Sequence, residues 1–400
     1  MKNIKIAFTF IKKNIVPVFL ITLMMLVVIF LLISIYGEYK YITYTRDIFR
    51  SSGLKNSVYF SSSVDFSDDN FDDEMKKVKQ KIKDFKATES IIVTDSVSLV
   101  QESPDKFLYG VKYDKTMIEN LKQPLKDGEW FHSETDPTKY EYPEVIIGGK
   151  EWIGVKAGDI IELTYKGKAF QAKVIGTLGD TVFYPQFNSW GTYLGVNDLF
   201  RSSTYILLLN VNSINIEFEE GIYTGHLSFI KFKDDASDTD KKELLDYLTA
   251  NGSYYTYEQL MEHTDIQIEE LMKEKFPFPV FLILIATISM ICISAVAVQR
   301  SMHEQSIYYL IGCSKKRSII TMISTLLIFF GLPCLINIIT SIFYPNFLRS
   351  DRIYNIHYII DASCIAPVII YFIFIATVLV LLPIIIYRKH SPLTFYRRNL

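Results

Sequence analysis

The sequence has few cysteines and almost no net charge, and both scarcities exclude classes of protein. None of its four cysteines lies between residues 37 and 276. That long segment must therefore be held by its own apolar core rather than by a disulfide framework. A formal net charge of −2 at pH 7 gives no indication of a nucleic-acid partner.

The chain also lacks the motifs of the common catalytic and metal sites. A phosphate-binding loop needs Ser or Thr after its Gly-Lys pair, and the pairs at 149–150 and 167–168 have neither. His303-Glu304 begins like the zinc motif H-E-x-x-H, but Ile307 stands where the second His is required. We expect no catalytic residue, no cofactor and no metal site.

Acidic clusters near residues 68–74 and 234–240 resemble calcium loops only superficially. The obligatory Gly and the terminal Glu of such loops are missing. Acidic residues just before a helix and in its first turn interact favourably with the helix dipole. We therefore interpret both clusters as helix starts.

Charge is absent from four long apolar windows. A helix needs about 20 apolar residues to span a hydrocarbon core of about 30 Å. The windows are Asn14–Gly37, Phe276–Gln299, Ser318–Leu348 and Ala362–Tyr387. We expect four transmembrane helices. The lack of intramembrane charge argues against a transporter coupled to protons or ions at the membrane midplane.

The first window has the features of a retained anchor rather than a cleaved signal peptide. Its apolar stretch, Ile15–Ile35, is longer than a secretory core of roughly 7–15 residues. Bulky residues follow where a signal peptidase needs small ones. The fold class predicted is thus a four-helix membrane domain in a 1+3 arrangement, with a large α+β extracytoplasmic domain between helices 1 and 2.

Basic residues near the window ends predict the orientation. They are concentrated before the first window, between the second and third, and after the fourth: Lys2, Lys5, Lys12, Lys13, Arg300, Lys315, Lys316, Arg317, Arg388, Lys389, Arg397 and Arg398. Both termini and the second-to-third loop are expected in the cytoplasm of a cell whose plasma membrane the chain crosses.

These patterns divide the chain into nine segments. They are the cytoplasmic N-terminus 1–14, helix 15–36, extracytoplasmic domain 37–276, helix 277–298, cytoplasmic loop 299–318, helix 319–345, external loop 346–362, helix 363–387 and cytoplasmic tail 388–400.

Secondary structure in the extracytoplasmic domain follows the hydrophobic periodicity. Strand-like runs flank a charged helix near each end of the domain, with helices at about Asp69–Lys86 and Thr239–Ala250. Thr88–Val100 is predicted to be one strand. The middle, about Asp127–Asn215, is rich in strands and punctuated by Gly. Two βαβ units therefore enclose a β-rich segment.

Amphipathic helices are expected where the domain meets the membrane. Ile35, Tyr39, Ile42 and Phe49 recur near helical spacing, and a similar stripe occupies residues 257–272. The two helices could pack together as a stalk, or each stripe could pack on the globular domain.

An aromatic run in the middle segment is open to two interpretations. It comprises Phe183, Tyr184, Phe187 and Trp190. These side chains could form an exposed contact loop for cargo or a partner, or they could fill the core of a β-rich lobe.

Four short segments resemble the periplasmic core domain of MacB-type permeases. They are Leu125–Phe131 (LKDGEWF), Pro143–Gly148 (PEVIIG), Val155–Ile160 (VKAGDI) and Phe170–Gly176 (FQAKVIG). Gly158-Asp159 is a turn pair that starts a strand, and Gly167 suits a tight hairpin turn.

The loop after the second window resembles the cytoplasmic loop of FtsX-like permeases. That family pattern reads R-x-x-E-I-x-x-L-x-x-L-G-A-S-x-x-x-I. Glu304, Gly312 and Ser314 match it in register, and Arg300 lies one position ahead of the family's Arg. Gln305 and Cys313 depart from it, and Tyr308 and Tyr309 are bulkier than is typical. A short helix is expected around Met302–Ile311, which Gly312 can end. The C-terminal Ser391–Arg397 is similar to the short tail of such permeases.

The resemblance implies the membrane subunit of an ABC transporter of the MacB/FtsX-like, mechanotransmission type. Such a subunit forms a homodimer or pairs with a similar permease, and it binds cytoplasmic ATPase subunits that hydrolyse ATP. The residues implied in ATPase coupling are Arg300, Glu304, Ile307, Leu310, Ile311, Gly312, Ser314, Lys315 and Lys316. The implied lobes are a porter-like lobe at about 50–125 and 222–257 and an inserted β-rich lobe at about 126–221.

Three functions remain open. The first is export or extraction of a peptide, toxin or lipoprotein-like cargo, driven by ATP hydrolysis on a partner chain. The second is a signal relay that activates a cell-wall hydrolase. The third, from another class, is a membrane sensor or adhesion scaffold without a motor. Only the first two have a use for the loop at 299–318.

Overall fold

The computed structural model describes most of the chain, in two compact units. The described residues are 15–64, 70–102, 105–149, 151–152, 154–179, 182–187, 193–203, 205–218, 227–310, 312, 314, 320, 323–324, 331, 359 and 362–389. One unit, which we call the helical unit, comprises Met1–Tyr41 and Leu271–Leu400. The other, Ile42–Glu270, we call the interhelical domain.

Four long helices lie wholly or partly in the helical unit. They are α1 (Ile15–Ser51), α5 (Tyr257–Lys275), α6 (Pro277–Leu310) and α7 (Ile365–Lys389). Among the described residues, Phe19–Ser51 and Pro277–Val296 are long and apolar enough to cross a membrane, and Ile365–Val378 is a shorter apolar helix. The four-helix arrangement therefore stays a prediction, because nearly all of the expected helix at 319–345 lies outside the described residues.

The core of the helical unit is formed by three of these helices. Ile21 and Met25 of α1 pack with Ala286 and Met290 of α6 and with Ile375 of α7. In the same unit, the hydroxyls of Thr287 and Tyr371 are hydrogen-bonded at 2.8 Å. Hydroxyl pairs of this kind bridge apolar helices where no water is present to satisfy them.

Polar contacts also join segments of the helical unit at one end of its apolar core. Lys275 Nζ lies 2.7 Å from Glu38 Oε1, and Lys40 Nζ donates to Ser363 Oγ at 2.7 Å. The Ile359 amide donates to the Gly37 carbonyl at 3.1 Å. These bonds connect α1 to the end of α5 and to the segment that leads into α7.

Two helices and a four-stranded antiparallel sheet make the first layer of the interhelical domain. The strands are β1 (Ser57–Ser62), β2 (Thr88–Ile92), β12 (Leu227–Phe232) and β13 (Gly252–Thr256), and the helices are α2 (Phe71–Asp84) and α4 (Asp238–Asn251). The order in the sheet is β13-β1-β12-β2. This is the order of a split pair of β-α-β units, with a long insertion between β2 and β12.

Alternation along the strands explains how this sheet is covered on both faces. Val58 and Phe60 of β1 face the helices together with Ile230 of β12. Tyr59 and Phe229 point the other way, and their ring centroids are 5.1 Å apart. Helix α2 contributes a buried stripe at helical spacing, Phe71, Met75, Val78 and Ile82.

The insertion forms a second sheet that closes on itself. Its strands are β3 (Asp95–Glu102), β4 (Asp105–Tyr113), β5 (Asp127–Gly128), β6 (Glu144–Gly148), β7 (Ile160–Tyr165), β8 (Lys168–Thr177) and β11 (Ile206–Asn210). The order is β5-β8-β6-β11-β4-β3-β7, and β7 also pairs with β8. Six strands thus make a closed barrel, with β5 added at one edge.

The barrel interior is filled by side chains that alternate along its strands. Leu99, Leu163, Val174, Leu207 and Leu209 belong to one buried cluster. The hairpin between β7 and β8 turns at Lys166 and Gly167, whose φ angles are +48° and +78°. Two consecutive positive φ angles are typical of the two-residue turns that match the twist of paired strands.

Smaller elements complete the domain. They are α3 (Lys115–Asn120), the hairpin of β9 (Val182–Pro185) with β10 (Phe200–Ser203), and three short 3₁₀ segments.

Most periodicity-based element predictions are confirmed, with one correction. The predicted helices near Asp69–Lys86 and Thr239–Ala250 are α2 and α4. The single strand predicted over Thr88–Val100 is wrong, because β2 pairs with β12 whereas β3 pairs with β4 and β7. The chain leaves the first sheet at Val93–Thr94 and enters the barrel. Residues 95–102 and 105–113, which were expected in the porter-like lobe, therefore belong to the barrel.

Candidate functional site

The first candidate site is the expected ATPase-coupling segment. The sequence indicated a separate short helix near Met302–Ile311, but α6 continues without a break to Leu310. The physical reason is that neither Gly nor Pro occurs between Pro279 and Gly312. Gly312 has a φ of +97°, the left-handed conformation that commonly follows a helix end.

The structure places only part of this segment. Arg300, Glu304, Ile307 and Leu310 lie on the last turns of α6. The side chain of Ile307 is 45% exposed. Ser314 is exposed beyond the helix end. Ile311, Lys315 and Lys316 lie outside the described residues.

The second candidate is the pair of helices predicted as a stalk. In the interhelical domain, Arg46 Nη1 of α1 lies 3.1 Å from Asp265 Oδ1 of α5. Phe49 of α1 stacks on Tyr257 of α5 at 4.9 Å between centroids and also contacts Phe229 of the sheet. The helices thus contact each other and the globular core, so both interpretations of the two stripes hold in part.

The electrostatics of this pair are local. Burial lowers the pKa of Arg46, but its hydrogen bond to Asp265 and the charges of Asp47 and Asp265 outweigh burial and raise it. Because Asp265 is about half exposed, water screens the ion pair, and such pairs stabilise by roughly 0–1 kcal/mol. The apolar contacts around Phe49 therefore hold the helices more strongly than the charges do.

The third candidate is the aromatic run, whose described members are packed inside the domain. Phe183 contacts Tyr44 of α1, and Tyr184 contacts Tyr109 of β4, at centroid distances of 5.1 Å and 5.5 Å. Phe187 contacts Phe229 at 5.0 Å.

The packing of this run bears on the two interpretations left open. Both Phe183 and Phe187 are buried, and burial raises the pKa of Tyr184 to about 12. These side chains therefore join the first sheet, the barrel and α1, which favours the packing interpretation for them. Trp190 lies outside the described residues.

A polar cleft at the barrel edge was not found by sequence reasoning. Its centre is Glu144, which is only 5% exposed. The Glu144 carboxylate accepts hydrogen bonds from Asn210 Nδ2 at 2.9 Å and from the His132 amide at 3.2 Å, and it also contacts His132 Nδ1. Around this centre, burial first and then the charge of Glu144 raise the pKa of Tyr140.

The hydrogen-bonding groups next to Glu144 are engaged within the fold. The nearby Ser213 hydroxyl accepts a hydrogen bond from the Glu144 backbone amide at 2.8 Å and donates one to the Asn210 carbonyl at 2.7 Å. It is therefore engaged both as a donor and as an acceptor. Among the described residues, no group of three or more His, Cys, Asp or Glu side chains is placed to hold a metal ion. The bonds to Glu144 fasten the segment that follows β5 to the barrel.

The acidic clusters near residues 68–74 and 234–240 lie at helix starts. Asp72, Asp73 and Glu74 occupy the first turn of α2. Asp240 lies in the first turn of α4, where its amide donates to Ser237 Oγ at 3.2 Å. Both placements have the acidic side chains at the positive end of a helix dipole.

Comparison with known proteins gives structural similarity only. No protein-family model and no curated protein matches the chain. The periplasmic region of MacB from Actinobacillus actinomycetemcomitans is similar at 14% identity and a TM-score of 0.29, over 56% of this chain and 96% of that one. The extracellular domain of the noncanonic ABC-type transporter YknZ from Gram-positive bacteria is similar at 12% identity and a TM-score of 0.28, over 50% and 96%. Both TM-scores are too low to establish a common fold.

Proposed function

We propose that this chain is the permease subunit of an ATP-driven transporter of the MacB/FtsX-like type. The observation that carries the proposal is the segment that follows the second apolar window. It resembles the family loop at Glu304, Gly312 and Ser314, with Arg300 one position ahead of the family's Arg. Its first part lies on helical turns that continue beyond that window to Leu310 and leave Ile307 exposed. An apolar side chain exposed beside charges is suited to a protein interface.

The build of the interhelical domain supports the same proposal. Its first sheet is made from both ends of the domain, and the barrel is inserted between them. The resemblance implies this split arrangement. Helix α1 runs in the chain from the first apolar window to the start of the domain, and α5 follows the domain's last strand and precedes the second window. A stalk between a motor and an external lobe requires connections of this kind.

The finer parts of the proposal rest on the sequence. The N- and C-termini are cytoplasmic, the interhelical domain is extracytoplasmic, and the subunit dimerises in the plasma membrane. ATP is hydrolysed on a separate partner chain, and the resulting movement exports or extracts a peptide, toxin or lipoprotein-like cargo. The cargo class comes from the family resemblance alone.

The experiment is an Ile307→Asp substitution in the full-length chain. If Ile307 is an interface anchor, burying a carboxylate in its place costs about 2 kcal/mol or more of binding, which lowers ATPase association about 30-fold. We expect the purified chain to lose co-purification with its ATPase while the emission of its tryptophans stays unchanged. All three tryptophans lie within residues 130–190, so they report folding of the interhelical domain.

Ile160→Asp is the matched control. Ile160 is 49% exposed on β7, close to the exposure of Ile307, but it belongs to the barrel. It should leave ATPase association unchanged. Glu304→Ala should change ATPase turnover more than binding, because one charge at an interface rim mainly sets orientation. Wild-type ATPase association by Ile307→Asp would refute the motor proposal.

A further inference from the structure

A short turn of the interhelical domain is bonded to both α1 and α5. We call it the clasp turn; it comprises residues 193–199, ahead of β10. Its Val196 amide donates to Thr264 Oγ1 of α5 at 2.7 Å. On the other side, the Thr45 hydroxyl of α1 donates to Asn197 Oδ1. Both threonines are buried, so each helix offers the turn a hydroxyl that is shielded from water.

Further contacts fix the clasp turn on α5. Gln267 Nε2 donates to Asp198 Oδ2 at 3.1 Å. His263 Nδ1 lies 2.9 Å from the Leu194 carbonyl oxygen, and the His263 ring stacks on Tyr193 at 4.1 Å between centroids. The turn therefore contacts three polar positions of α5, at 263, 264 and 267.

The clasp turn is also packed closely against its surroundings. Leu194, Val196 and Leu199 are all buried. A Cβ atom at Gly195 would lie 2.4 Å from Gln267 Oε1. Only glycine lets the backbone approach α5 this closely without displacing the amide that bonds Asp198.

The chain runs directly from the clasp turn into the barrel. It enters β10 at Phe200 and then β11 at Ile206. Strand β11 is central in the barrel, since it pairs with β4 on one side and β6 on the other. The residue that follows β9 is also bonded to the turn, because the Gln186 amide donates to the Leu199 carbonyl at 2.9 Å. A displacement of the turn is thus applied to the barrel through a few residues of backbone.

The hydrogen bonds of Thr264 determine whether the turn moves with the helices or separates from them. The Thr264 hydroxyl donates to the Leu260 carbonyl at 2.6 Å while it accepts from Val196. Detachment would leave the buried Val196 amide without an acceptor and would remove the donor to the buried Thr264 hydroxyl oxygen, which is unfavourable away from water. The turn therefore follows α1 and α5 when they shift.

We propose that the clasp turn transmits movement of α1 and α5 to the barrel, with Thr264 as its positioning residue. This inference rests on the proposed function, because an ATPase partner supplies the movement. The inference goes beyond that function because it identifies the element through which α1 and α5 act on the barrel.

The test measures hydrogen–deuterium exchange in the full-length chain bound to its ATPase, with and without a non-hydrolysable ATP analogue. Thr264→Val keeps the shape of the side chain but removes the acceptor for the Val196 amide. Thr264→Ser keeps the hydroxyl. Thr249→Val removes a hydroxyl that likewise bonds the carbonyl four residues earlier, Leu245 O at 2.9 Å, at a site that does not contact the turn.

In the wild type, Thr264→Ser and Thr249→Val, the analogue should change exchange in α5, in the clasp turn and in β11. In Thr264→Val the change in α5 should persist, while the change in β11 should fall about fivefold or more, the lower end of typical coupling between sites. Asn197→Ala, which removes the acceptor for Thr45, should act in the same direction and serves if Thr264→Val does not fold.

Two results would count against the inference, and they differ. If β11 responds at wild-type level in both Thr264→Val and Asn197→Ala, the clasp turn does not transmit the movement, although the motor proposal stands. If the wild-type chain binds no ATPase, or shows no response to the analogue anywhere in residues 42–270, the proposed function fails and this inference fails with it.

Discussion

At the scale of single residues, the side chains that organise the interhelical domain are joined across long stretches of sequence. Glu144 meets Asn210, 66 positions away, and the Val196 amide meets Thr264, 68 positions away. No motif spacing relates such partners, so sequence reasoning did not find the polar cleft or the clasp turn. Gly158 and Gly167 were predicted as turn residues because their chemistry is local, and both have positive φ angles.

The polar cleft gives the residue-scale prediction. Glu144→Leu removes the acceptor of the buried Asn210 amide group and of the backbone amide of His132, an exposed residue. An unsatisfied buried donor costs about 1–3 kcal/mol, so the free energy of unfolding should fall by about 2 kcal/mol. Urea unfolding of the purified full-length chain, followed by tryptophan emission, measures it. Glu162→Leu, an exposed site on the same barrel, should change the value little, and an equal loss there would contradict the assigned role of Glu144.

At the scale of elements, periodicity predicts what each segment is but not what it pairs with. Helices α2 and α4 were predicted from hydrophobic periodicity, and the β7–β8 hairpin was predicted from its glycine turns. The run from Thr88 to Val100 was predicted as one strand, but β2 and β3 are separate because they pair with different strands. The end of α6 was predicted as a separate short helix although neither Gly nor Pro lies between Pro279 and Gly312.

The β7–β8 hairpin gives the element-scale prediction. Gly167 has a φ of +78° with no atom close to the position of a Cβ, so Gly167→Ala tests backbone strain alone. A left-handed non-glycine residue costs about 1–2 kcal/mol, and the barrel should lose stability by that amount. Lys166→Gly relieves a left-handed lysine and should be neutral or stabilising. Because Trp152 belongs to the same core cluster as Leu163 of β7, its emission during denaturant unfolding follows the effect. Equal losses in both variants would exclude strain as the cause.

At the scale of the whole molecule, closure of the barrel depends on contacts that local patterns do not encode. Strand β4 pairs in parallel with β11, and β7 pairs with both β3 and β8. Parallel pairing needs a long crossover, and the partner cannot be identified from either strand alone. The membrane arrangement, in contrast, can be predicted from local sequence patterns. Charge asymmetry around the apolar windows predicts it, and the described residues contain two of the expected spans.

The orientation itself gives the whole-molecule prediction. Cys313 follows the second apolar window among Arg300, Lys315 and Lys316, and positive charge is retained on the cytoplasmic side. In a chain whose other three cysteines are replaced by serine, Cys313 should react with an impermeant thiol reagent only after the cells are permeabilised. Lys83→Cys, placed on the exposed face of α2 in a cysteine-free background, should react in intact cells. Labelling of Cys313 from outside, with Lys83→Cys protected, would place the interhelical domain in the cytoplasm. The segment around Ile307 would then lie on the opposite side of the membrane from any ATPase.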